Sequence, residues 1–122
     1  MAVTLFGNAS VTLAVEVPPG LRDTPVLFIE ASALRNPRGA RVYVEVYLEG
    51  EDGREYELGN FTFFGATAVE DKRRFVFALD TVEREALPSE VARVRASMKP
   101  FDTNDGDVSD VRVDLKAWME VW

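Results

Sequence analysis

The chain has 122 residues, 47% hydrophobic and 11% aromatic, which supports one globular domain with its own core and excludes a disordered segment. It contains no histidine and no cysteine, so zinc fingers, Ser-His or Cys-His catalysis, thiol redox chemistry and a type-3 copper centre are all excluded, and only oxygen ligands remain for a metal. Fourteen basic residues against 21 acidic ones give a net charge of −7 with a single tight basic run, Lys72-Arg73-Arg74, a balance that argues against nucleic acid as a partner.

Alternation of period two runs through most of the sequence. Val11, Leu13, Val15 and Val17 share one face of a predicted strand that Pro18-Pro19-Gly20 ends. Val26 to Ala31 is a continuous apolar run, as expected of a strand buried on both faces. Over Arg41 to Glu49, Val42, Val44, Val46 and Leu48 point inward, and Arg41, Tyr43, Glu45 and Tyr47 point outward. Glu51-Asp52-Gly53 then turns the chain into a strand over Glu55 to Leu58. Asn60 to Phe64 and Arg74 to Leu79 read as two further strands, the second with Phe75, Phe77 and Leu79 on one side.

Asp80 to Leu87 breaks the pattern. Asp80 or Thr81 can cap a helix, Glu83 and Glu85 suit its first turn and Pro88 stops it, so one short helix is predicted over 81–87. Alternation returns with Val94, Ala96 and Met98 opposed by Arg93, Arg95, Ser97 and Lys99. The last strand sets Val111, Val113, Leu115, Ala117, Met119 and Val121 inward, with Arg112, Asp114, Lys116, Trp118, Glu120 and Trp122 outward. Seven or eight strands at this spacing predict an all-β chain: an antiparallel β-sandwich with one short helix, spanning 1–122 as a single domain.

No apolar stretch is long enough for a membrane helix, so no membrane partner is expected, and Met1 to Ser10 lack the basic start of an export signal. Cytoplasm is the default expectation.

The segment order resembles the C-terminal domain of plant polyphenol oxidases and related tyrosinases. Val26-Leu27-Phe28-Ile29-Glu30-Ala31 is similar to the family's V-L-V-I-E-G-I strand, and Tyr43-Val44-Glu45-Val46-Tyr47 to its Lys-Phe-Asp-Val-Tyr strand. Glu57-Leu58-Gly59-Asn60-Phe61 is similar to its Glu-Phe-Ala-Gly-Ser-Phe segment, and Arg74 to Leu79, Thr81 to Leu87, Val91 to Met98 and Val111 to Val121 follow in the family's order. The signature strand departs from the family at Tyr43, Val44 and Glu45. The resemblance implies a non-catalytic lid that packs over a copper site on a separate catalytic domain, in cis or in trans, and keeps it latent. It implies no cofactor in this chain, the copper belonging to the partner.

Several residues are candidates for contact with such a partner. Phe64, beside Gly65 at a strand end, is the first candidate to enter the pocket a phenol would occupy, ahead of Tyr43, Tyr47 and Leu34. Phe61 and Phe63, on the opposite face from Phe64, read as core. Trp118 and Trp122 lie on an outward face and suit an interface. The competing expectation is a stand-alone binding module, carbohydrate-binding on such aromatics or C2-like with calcium. Asp102, Asp105, Asp107 and Asp110, with Asn104, bracket Gly106 as weak calcium candidates. Their spacing misses the EF-hand by one position and no Glu closes the loop, so a polar hairpin tip is the preferred reading of them.

Overall fold

The structure is a computed structural model that describes residues 2–18, 25–63, 68–69, 72–79, 82, 86–101 and 107–120. Nine strands run through these residues: β1 (Val3–Phe6), β2 (Ser10–Glu16), β3 (Val26–Arg35), β4 (Val42–Glu49), β5 (Glu55–Thr62), β6 (Ala68–Val69), β7 (Arg73–Ala78), β8 (Val91–Pro100) and β9 (Arg112–Glu120). Two antiparallel sheets face each other. The first has the order β1-β9-β3, with β6 and β7 both along the far edge of β3; the second has the order β2-β8-β4-β5. The β-sandwich is therefore what alternation predicts. The core is filled by the inward set of every long strand, with Leu27, Ile29, Val113 and Leu115 of the first sheet meeting Val44, Val46, Val94 and Met98 of the second, all fully buried.

Three local features depart from the sequence reading. Residues 55–62 form one strand rather than the ends of two. The register shifts at Gly59, where Val46 pairs with Gly59 and Tyr47 with Glu57, so Leu58 is the extra residue of a bulge. Gly59 has a φ of 145°, which a side chain rarely adopts, and the bulge breaks the alternation that would have joined the segments. Strand β3 is not buried on both faces. Leu27, Ile29 and Ala31 enter the core, while Val26 and Phe28 lie half-buried on the outer face. A second bulge at Ala33 (φ 52°) shifts the register between Ser32 and Arg35 and returns Leu34 to the core, where it is 1% exposed. Leu34 therefore cannot reach a partner's pocket. Finally, β1 was not expected; its Val3 and Leu5 pair with Leu115 and Val113 of β9.

The helix predicted over 81–87 has Thr81, Glu83, Arg84 and Glu85 outside the described residues, and no α-helix occurs among those described, Ala86 alone being in a 3-10 turn. Val82 and Ala86 are buried against the core.

The flanks of the sandwich are closed by specific contacts. At one side, Phe61 of β5 stacks on Phe75 of β7 with ring centroids 4.2 Å apart and 15° between planes, and meets Phe63 edge-on at 5.8 Å. Phe61 and Phe63 are thus core residues, as their alternation predicts. At the β1–β2 corner, where the chain passes from one sheet to the other, Gly7 N–H donates to the Val111 carbonyl at 2.9 Å. A Cβ on Gly7 would lie 1.8 Å from the Val108 carbonyl oxygen, so only glycine fits.

Candidate interaction surfaces

Pairing of β9, β3 and β7 aligns their outward side chains in rows. Trp118, Phe28 and Val76 form one row, Lys116, Glu30 and Arg74 the next, and Glu120, Val26 and Ala78 the row on the other side. Phe28 and Trp118 stack at 5.5 Å with 8° between their planes, and the Arg74 guanidinium sits 5.5 Å from the indole centroid. The indole N–H donates to Glu120 Oε1 at 3.1 Å. Val76 is 59% exposed in the same row. An aromatic and branched apolar row with a charged rim is the surface type that protein partners cover.

Among the described residues Glu30 is the one nearly buried carboxylate on this face, at 9% exposure. Arg74 Nε donates to it at 3.1 Å and Lys72 lies 3.6 Å away. The Arg74 hydrogen bond, joined by the charges of Lys72, Arg74 and Lys116, holds its carboxyl below the usual range against the opposing effect of burial.

Tyr43 and Tyr47 lie on the opposite outer face, that of the second sheet, so they form no common patch with Trp118. Their rings belong to a polar lattice. Tyr47 O–H donates to Glu45, Lys99 lies 3.2 Å from the same carboxylate, and the Arg95 guanidinium sits 4.5 Å over the Tyr47 ring while reaching Glu55 at 2.6 and 3.1 Å. The bond to Glu45, then burial, then the charges of Glu45 and Glu57 push the Tyr47 phenol up to about 12. Tyr43 packs on Phe101 at 5.3 Å. These contacts account for both tyrosines without a partner.

The Asp-rich loop is partly described. Asp110 takes a two-pronged pair from Arg38, at 3.1 and 3.0 Å, and Asp107 accepts from Ser109 N–H at 2.9 Å and from the Asn8 amide at 3.3 Å. Both carboxyls are held below their ordinary range, Asp110 by Arg38 and Asp107 by Ser109. Asp107 and Asp110 thus tie three loops together at one end of the sandwich. Asp102, Asn104, Asp105 and Gly106 lie outside the described residues, as do Phe64, Gly65 and Trp122. Among the described residues no three acidic side chains converge as a metal site would need.

A cleft of about 440 Å³ opens beside Trp118, between Ala14, Glu16, Val17 and Pro18 of β2 and its extension and Ala117 and Met119 of β9. Strand β1 runs along β9 only from Arg112 to Leu115, and the cleft lies beyond that point. Phe28 and Val76 were not singled out from sequence, because their alignment with Trp118 depends on pairing between distant strands.

The fold and these faces define an antiparallel β-sandwich domain whose strongest surface feature is an aromatic row on an outer sheet face. No protein-family model matches the sequence, and no curated protein matches it. Among solved structures, recombinantly expressed latent aurone synthase, a polyphenol oxidase co-crystallized with hexatungstotellurate(VI), shares the fold over 97% of this chain at a TM-score of 0.61 and 15% identity. A second structure of latent aurone synthase gives 0.60, 14% and 96%. The chain spans about a quarter of the length of these enzymes, 25% in both. A family 16 carbohydrate-binding module superimposes at only 0.44, too loosely to mark a shared fold.

Proposed function

We propose that this domain is a non-catalytic shield for a tyrosinase-type copper enzyme, covering the active site of a catalytic domain and keeping it latent. The observation that carries this reading is the fold match itself: nearly the whole chain superimposes on a quarter of a polyphenol oxidase described as latent. The residue chemistry agrees. A type-3 copper centre is held by imidazoles and this chain has none, so the copper has to sit on the partner. Shielding needs a rigid scaffold and a contact surface, and no ligands or nucleophile of its own. When the two domains are joined, the high effective concentration lets modest contacts suffice.

Phe64 is the proposed side chain for the phenol pocket, on its position beside Gly65 in the segment that follows β5. The purified domain, added in trans to a copper-loaded tyrosinase catalytic domain from its own source, lowers the rate of catechol oxidation. Phe64→Ala relieves that inhibition with an unchanged melting temperature. An oxidation rate that stays constant up to hundreds of micromolar of added domain overturns the proposal.

A further inference from the structure

We propose that the outer face of the β9-β3-β7 sheet pairs with the same face of a second copy of this chain, about a two-fold axis running along the Trp118-Phe28-Val76 row. This rests on the geometry of one face and is independent of the shielding role.

The order of charges on β9 sets which pairing is possible. Lys116 and Glu120 lie one row to either side of Trp118, each roughly 7 Å away along the strand. A face-to-face pair related by a two-fold axis has that axis in the plane of contact, and only two orientations keep the strands aligned. With the axis across the strands, each strand lies antiparallel over its own copy. The aromatic row then meets itself, and Lys116 of each copy lies over Glu120 of the other, giving two ion pairs. With the axis along the strands, Lys116 lies over Arg74 and like charges meet. The face is therefore self-complementary in the first arrangement only.

The groups buried by that contact are prepared for it. Glu30 already has Arg74 at 3.1 Å and Lys72 at 3.6 Å, so it brings no unpaired charge under the Val26 and Ala78 of the other copy. Lys116 adds its charge to the surroundings of Glu30 without being one of the groups in contact with it, so its ammonium is available across the interface. Glu120 receives the indole N–H on Oε1, which fixes the carboxylate and leaves Oε2 for Lys116. Val76, an exposed branched side chain of this face, lies at the end of the row that would be covered.

Size sets the strength. Three rows by three strands make a footprint of about 14 by 20 Å, smaller than a stable interface, so association is expected in the range of tens to hundreds of micromolar. Sedimentation velocity from about 1 μM to about 1 mM, at physiological salt, reads this directly. The chain should pass reversibly from monomer to dimer. Lys116→Glu and Glu120→Lys should each weaken association at least about tenfold, because both pairs become repulsive, and the two changes together should restore it. Melting curves confirm that each variant folds, and Glu120→Gln replaces Glu120→Lys if the latter does not. A chain that stays monomeric at about 1 mM overturns the proposal, as does a dimer indifferent to the single changes or a double variant that fails to recover. If the chain is monomeric and Trp118→Ala abolishes inhibition of the catalytic domain, the face serves the enzyme and not a second copy.

Discussion

Truncation of Phe61 tests whether the two sheets are held together where β5 faces β7. The ring is 5% exposed, stacked on Phe75 at 4.2 Å, edge-on to Phe63 at 5.8 Å and 6.3 Å from Phe77. It therefore bridges the sheets instead of filling one. Replacing a buried phenylalanine with alanine costs about 3–5 kcal/mol, and loss of the stacked pair places this site near the upper half of that range. A domain of this length has a stability of about 6–18 kcal/mol, so Phe61→Ala should still fold. An unfolding entropy of about 0.26 kcal/mol/K for the chain converts a loss of about 4 kcal/mol into a fall in Tm of roughly 15 °C. Thermal and urea unfolding followed by circular dichroism measure it, with Phe61→Leu as a partner variant that should lose less than half as much. A fall below about 5 °C for Phe61→Ala would show that the four-ring cluster does not tie the sheets, and the account of the core would be wrong.

Gly7→Ala should lower stability by more than about 3 kcal/mol or prevent folding, since its Cβ would lie 1.8 Å from backbone and the neighbour is not a movable side chain; urea unfolding checks it. Asn36 is 1% exposed and bonds Ala40 in both directions, at 2.8 and 3.0 Å, so Asn36→Ala should cost about 1–3 kcal/mol, while a loss under 0.5 on the same assay would show that the turn does not depend on it. Tyr47 has its phenol raised above the ordinary value of 10.0, so its contribution to stability is complete below pH 10 and is lost as pH rises toward about 12. Phenolate absorbance should show a step toward about 12, and Tyr47→Phe should remove it while leaving that of Tyr43, whose phenol burial and Glu45 also push up. A titration unchanged by Tyr47→Phe would contradict the Glu45 bond.

Much of the architecture was legible because burial on one face imposes period two. Strands β2, β4, β7, β8 and β9 follow from it, as do the inward sets of each among the described residues, Val121 lying outside them. What escaped was set by other physics. The bulges at Gly59 and Ala33 each insert one residue, which reverses the pattern within a strand and makes β5 look like two pieces. Strand β1 has only four residues, too few for alternation between Val3 and Leu5 to stand out. In the candidate surfaces, Trp118 and the tyrosines were visible as outward residues. That Trp118 rests beside Phe28 and Val76, and that Tyr47 is engaged by Glu45 and Arg95, depends on register between strands far apart in sequence.

The position of β9 has a consequence for how the molecule is made. It lies between β1 and β3, and β8 likewise lies between β2 and β4, so the middle of each sheet is supplied by the two strands synthesised last of the nine. While a ribosome is still adding residues 112–120, β1 has no neighbour to pair with and β3 offers one whole edge to solvent or to a chaperone. Strands β3 and β7, β4 and β5, and then the whole second sheet can pair before β9 is made, but β1 joins β3 through β9 only after translation has passed Glu120, a late step between residues distant in sequence. A stalled chain ending before β9 would present the backbone edge of β3 from Val26 to Arg35 unpaired, open to pairing with another strand.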